Sequence, residues 1–187
     1  MPRQCDRHEN AHLSFPILIA EATFMIRTAT AADAGAIAAI YNHYVTSTTI
    51  TFEEESVTQA DMASRIASVS AQLPWYVYEH DGAVTGYAYA TPWRVRSAYR
   101  FSVETTVYVA PGCARQGIGL QLYSALIDAL RCRGIQVVLG GIAQPNPASV
   151  ALHETLGFEK AAHFKRVGRK FEQWIDVGYW ELQLHSV

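Results

Sequence analysis

Residues 103–123, VETTVYVAPGCARQGIGLQLY, set the strongest constraint on what this chain can become. A β-rich run stops at Pro111-Gly112. A short polar stretch follows, with Arg115 and two spaced glycines, Gly117 and Gly119, and then an amphipathic helix begins. The first-turn amides of such a helix lack intrahelical partners, and the helix dipole adds positive potential there. Glycines at this point let an anionic group such as phosphate approach the backbone, and Arg115 adds a charge-assisted contact. On the glycines alone, a tight strand-to-helix turn that needs them only for packing is an equal alternative. A P-loop is excluded, because no Gly-Lys-Ser/Thr follows. A dinucleotide-binding turn fits poorly, because the preceding strands are joined as a hairpin at Asp81-Gly82, which implies antiparallel pairing.

The remaining pattern is that of one α/β domain. MIRTAT (25–30) reads as a strand. Thr30 or Asp33 caps a helix in which Ile37, Ile40, Tyr41 and Tyr44 recur at helical spacing. TSTTITFEEES (46–56) reads as a β-rich connector, and Thr58 caps a second helix through about Ser70. The period then changes to that of strands at 75–80, 83–93 and 100–110. A helix is expected from Gly117 to Arg133, stopped by Gly134. The apolar run 135–143 reads as a strand covered on both faces. A short helix starts at Asn146 or Ser149, and strands near 159–167 and 174–183 complete a mixed sheet with helices on both faces.

With 187 residues the chain suits a single domain with one sizeable core. Its formal net charge of −2 gives no support for a nucleic-acid surface. Cys5, Cys113 and Cys132 form no C-x-x-C, so reduced thiols in a cytosol are the simplest expectation. Residues 1–24 differ from the rest and are expected to be a poorly ordered extension or the product of an upstream start. The domain then covers 25–187. FPILIA within that extension is too short to span a bilayer. His8 and His12 have helical metal-ligand spacing but no third partner, so they read as solvated.

Two motifs carry a family resemblance. VYVAPGCARQGIGLQLYSALI resembles the acyl-CoA-binding segment of the GNAT acetyltransferases, with Gly117 and Gly119 matching and Ala114 where the family usually has Arg or Gln. NPASVALHETLGF resembles the family's second segment at Asn146, Ser149, Leu152, Gly157 and Phe158, with His153 where many members have tyrosine. PW-x-x-R-x-A-Y, VETTVYV and WIDVGYW narrow the resemblance to the phosphinothricin and methionine sulfoximine N-acetyltransferases, over roughly residues 25–184.

The resemblance implies a GNAT-type α/β fold with a mostly antiparallel sheet. It implies direct transfer of acetyl from acetyl-CoA, with no metal, to a small amine or amino acid. Glu104 is then the base and His153 the acid that restores the thiol. Read without the resemblance, Glu104 is a buried glutamate paired with Arg94 or Arg100, and His153 bonds to Asn146 or backbone. For the cofactor, the resemblance implies the backbone of Val107, Tyr108 and Val109, the loop and helix mouth at Arg115, Gln116, Gly117, Ile118 and Gly119, and the residues Asn146 and Ser149. For an amino-acid carboxylate it implies Arg96, with Tyr99 beside it, Arg94 in reserve and Phe52 lining the pocket. FEEES (52–56) faces either an ammonium substrate or solvent. A homodimer is the family's habit. No membrane or nucleic-acid partner is expected. The alternatives are a GNAT enzyme acting on a polyamine, aminoglycoside or protein terminus, and a non-catalytic acyl-CoA sensor.

Overall fold

A computed structural model describes residues 24–184. The expectations for residues 1–23, including the His8–His12 pair, lie outside the described residues. The strands are β1 (Phe24–Thr28), β2 (Trp75–His80), β3 (Ala83–Pro92), β4 (Ser102–Val109), β5 (Val137–Gln144), β6 (Glu159–Lys170) and β7 (Gln173–Gln183). The helices are α1 (Ala34–Ser47), α2 (Gln59–Ser70), α3 (Ile118–Cys132) and α4 (Pro147–Thr155). One sheet runs β1-β2-β3-β4-β5-β7-β6, and every neighbouring pair is antiparallel except β4–β5. The expected α/β class and element order are what the chain forms.

Local chemistry explains most boundaries. Asp81 and Gly82 both take positive φ, 48° and 78°, as the tight β2–β3 hairpin requires. Thr58 caps α2 by accepting the Asp61 amide at 3.1 Å. The connector before α2 departs from the expectation of β structure. Its polar groups go to side chains rather than to a ladder: Asn42 accepts the Val57 amide at 2.8 Å, and Tyr41 meets Thr51 at 2.7 Å.

Strand alternation gives the sheet two different faces. Val103, Ala88, Ala90, Val138 and Trp180 face α3, whose Leu122, Leu126 and Leu130 are fully buried. Trp75, Val77 and Tyr87 face α1 and α2, where Ile37, Val45 and Ile66 meet them. The small residues of β3 let α3 approach closely. A Cβ on Gly86 would fall 2.9 Å from Ile118 Cγ2, so the first turn of α3 rests on the sheet backbone.

An ion cluster ties the first helical turn to the sheet. Arg27 donates to both oxygens of Asp33, at 2.8 and 2.7 Å, and to Glu79 at 2.8 Å. The Arg27 hydrogen bonds pull the Asp33 carboxyl down from 3.8 to about 2, and Thr30 adds to this. A depressed carboxylate pKa contributes stability above its unfolded value that is lost as pH falls through the folded one. Asp33→Asn is therefore expected to cost about 2 kcal/mol at pH 7. The difference from wild type should vanish as pH falls from about 4 to 2, which urea unfolding at several pH values will show.

Candidate active site

The parallel contact between β4 and β5 lasts only three residue pairs, Ser102–Val137, Val103–Val138 and Glu104–Leu139. Beyond these the strands part, while β4 stays paired with β3 and β5 with β7. The opening between them is the feature around which the site is built.

Ala110 N–H donates to Thr85 C=O at 2.8 Å, and Trp93 N–H donates to Ser102 C=O at 3.1 Å. These bonds fix the alternation: even-numbered residues of β4 turn their backbone groups to β3, and odd-numbered ones turn them to the opening. The Val107 amide and carbonyl and the Val109 amide therefore line the opening. The Val109 carbonyl already accepts the Tyr44 hydroxyl at 2.6 Å. Tyr108 turns its backbone to β3 and packs its ring with Tyr41, Tyr44 and Tyr87. The Tyr108 main chain, expected to meet the cofactor, is thus taken up by β3 and does not face the opening.

The loop before α3 ends on Gly117 at φ 77°, a left-handed conformation that glycine adopts without strain. The first α-helical bond runs from Gln121 N–H to Gly117 C=O at 3.0 Å, so the amides of Ile118, Gly119 and Leu120 precede the ladder. Arg115 and Gln116 are exposed beside them. Gly119 has a packing reason as well, because a Cβ there would fall 3.3 Å from Leu152 of α4.

Glu104 projects from β4 into a cavity of about 610 Å³ lined also by Phe52, Trp93, Arg94, Phe164 and Tyr179. Burial pushes its carboxyl pKa up, while the nearby Tyr179 hydroxyl and Arg94 guanidinium oppose the shift. Arg94 stacks on Trp93 at 4.3 Å and acts on Glu104 through its field rather than as a close ion pair. Arg100 instead covers the Phe101 ring at 4.3 Å. Room for the carboxylate comes from Gly141 of β5, where a Cβ would lie 2.9 Å from Glu104 Oε1.

At the opening itself lies a smaller cavity of about 90 Å³, lined by Thr105, Val107, Tyr123, Asn146, Ser149 and His153 among others. Asn146 caps α4 by accepting the Ser149 amide at 3.1 Å. The Ser149 carbonyl is 2.7 Å from His153 Nδ1. A carbonyl only accepts, so Nδ1 carries the proton and Nε2 accepts the Tyr123 hydroxyl at 3.2 Å. His153 is 3 % exposed, and burial lowers its pKa. In this tautomer the imidazole of His153, the expected proton donor, has its N–H engaged by Ser149 and its Nε2 by Tyr123. The sequence pattern had no signal for Tyr123, which occupies an ordinary apolar position of α3.

Other expected residues fall elsewhere. Arg96 and Tyr99 flank an exposed 3-10 turn, Ser97–Tyr99, and line neither cavity. The Tyr99 amide bonds back to Arg96 C=O at 2.9 Å, which closes the turn on itself. Arg94 is the guanidinium that reaches the cavity. In FEEES, Glu53 pairs with Arg65 at 2.7 Å, and Glu54 and Glu55 are exposed.

A parted sheet, helix-mouth amides that precede the α3 ladder and a partly buried carboxylate in the larger cavity suit an acyl-CoA-dependent acyltransferase. The Acetyltransferase (GNAT) domain model matches residues 26–178, and the chain belongs to that family. It is 40 % identical over 156 residues to the phosphinothricin N-acetyltransferase of Streptomyces viridochromogenes, covering 83 % of this chain and 85 % of that one. It is 40 % identical over 163 residues to the L-methionine sulfoximine/L-methionine sulfone acetyltransferase of Salmonella typhimurium, covering 85 % and 94 %. The structure of yncA, a putative acetyltransferase from Salmonella typhimurium with its cofactor acetyl-CoA, superposes with a TM-score of 0.86 at 37 % identity, over 88 % of this chain and 96 % of that one.

Proposed function

We propose that this enzyme transfers acetyl from acetyl-CoA to the α-amino group of a small amino-acid analogue, with methionine sulfoximine, methionine sulfone and phosphinothricin as the leading acceptors. The observation that carries this reading is Glu104, a carboxylate of raised pKa in the wall of the larger cavity, beside Gly141, which lines both cavities.

Acetyl-CoA supplies the activated thioester. The amides at the mouth of α3 and Arg115 hold its diphosphate. The Val107 backbone bonds its pantetheine arm as a surrogate strand, and an amide of the β4 edge bonds the thioester carbonyl oxygen as charge develops there. The acceptor lies in the larger cavity with its carboxylate on Arg94. Its ammonium has no lone pair until Glu104 takes a proton, directly or through a water. The amine nitrogen then bonds the acetyl carbon and the carbon–sulfur bond breaks. A second nitrogen proton leaves for the sulfur, so the thiol forms without an external acid. His153 holds the Tyr123 hydroxyl beside the sulfur.

The curated names of the relatives support the acceptor class. Phe164, Val167, Phe171 and Trp174 are at least half exposed along the β6–β7 arm and suit a homodimer contact. Among the described residues no helix is long and apolar enough to cross a membrane. Our reading places the enzyme in the cytoplasm.

Release of CoA thiol with a panel of amines tests the proposal. The three analogues should lead the panel, and titration with acetyl-CoA should show saturable binding without them. A clear preference for a polyamine, aminoglycoside or peptide would refute the acceptor class. Binding without turnover of any amine would leave a sensor.

A further inference from the structure

The connector between α1 and α2 walls the larger cavity through Ile50, Thr51 and Phe52. It has no ladder of its own, so its position depends on what grips it. The helices hold one side. Tyr41 meets Thr51 Oγ1 at 2.7 Å and donates to Glu53 at 2.9 Å, and Glu53 pairs with Arg65.

Strand β6 holds the other side. Lys170 Nζ donates to Thr51 C=O at 2.8 Å across 119 residues of sequence. Two residues earlier, Gly168 lies under the Phe52 ring, where a Cβ would fall 2.5 Å from the ring carbons. Lys170 is 1 % exposed. Glu53 pairs with Arg65, and Glu54 and Glu53 both act on the ammonium only through their fields, not as close ion pairs.

A buried ammonium is a poor means of stabilising a fold, because an apolar side chain of similar size avoids the desolvation cost. What the ammonium adds is direction: it fixes one carbonyl, and with it the two residues that face the acceptor.

We propose that Lys170 is a positioning residue for the acceptor, strapping the α1–α2 connector onto the β6–β7 arm so that Thr51 and Phe52 set the wall against which the acceptor side chain packs. This rests on the reading that the larger cavity takes the amine.

The test uses Lys170→Met and Gly168→Ala, with the amine that the wild-type enzyme turns over fastest. In Lys170→Met, acceptor KM should rise roughly ten-fold, with kcat changed by less than about three-fold. Affinity for acetyl-CoA should be unchanged and Tm should stay close to that of wild type. Amide hydrogen exchange should quicken within residues 48–56. Gly168→Ala should give the same kinetic split by displacing the Phe52 ring.

An unchanged acceptor KM in both variants overturns the proposal. So does a parallel loss of acceptor binding, acetyl-CoA binding and Tm, which marks a merely structural lysine. A loss confined to phosphinothricin, sparing methionine sulfone, also overturns it, because Lys170 would then touch an anionic side chain directly. If the wild-type enzyme ignores all three analogues, the acceptor class fails by itself. The strap is still decided by amide exchange in 48–56 and by KM for the amine preferred.

Discussion

Glu104→Gln should lower kcat by roughly 10²–10⁴-fold, the range for removing a positioned general base, and leave acetyl-CoA affinity unchanged. The amide keeps the shape of the carboxylate and can accept a hydrogen bond, but it cannot take the acceptor's proton. Burial raises the Glu104 pKa, so the wild-type enzyme should lose kcat/KM as pH falls through a value above the ordinary carboxylate range. The variant's residual activity should lack that acid limb. A carboxylate of raised pKa opposes folding at pH values where it is ionised. The variant should therefore melt no lower than wild type at neutral pH, which separates catalytic loss from unfolding. Retained turnover would remove Glu104 from the chemistry.

Gly141→Ala should be nearly as damaging with no loss of a functional group. The new methyl would meet Glu104 Oε1 at 2.9 Å and the Tyr179 ring at 3.2 Å. Gly141 is exposed at the opening rather than packed in a core, so the fold can accept the methyl while the carboxylate cannot. A displacement of about 1 Å at a reacting group costs on the order of 10²-fold. The expected result is a loss of kcat with a normal Tm and normal acetyl-CoA titration. Equal activity in the variant would show that Glu104 need not occupy its present position.

Much of this was legible in the sequence because it depends on neighbours along the chain. Asp81-Gly82 specifies a hairpin from two residues alone. Gly117 and the amphipathic run after it specify a helix mouth. Asn146 is a cap whose partner lies three positions on. What escaped depends on contacts across the sheet. Tyr123 meets His153 across 30 residues, and Lys170 meets Thr51 across 119. Nothing local marks either as more than an apolar or a surface position. The Thr-rich connector misled for a related reason: β-branched residues favour strands only when a ladder is available, and here the helices and β6 consume the polar groups. Arg96 and Tyr99 were legible as motif residues, but their place relative to the cavities depends on the path of the 3-10 turn, which no local pattern states.

The three-pair contact between β4 and β5 makes this sheet two leaves joined along a short spine. The pantetheine arm, placed between the leaves as we propose, would complete the missing pairing and brace them, turning binding energy into rigidity of the sheet. Withdrawal of the thiol product would then remove that brace. Glu104 is itself the last residue of that spine, so the loss of the brace is felt at the base as well as along the sheet.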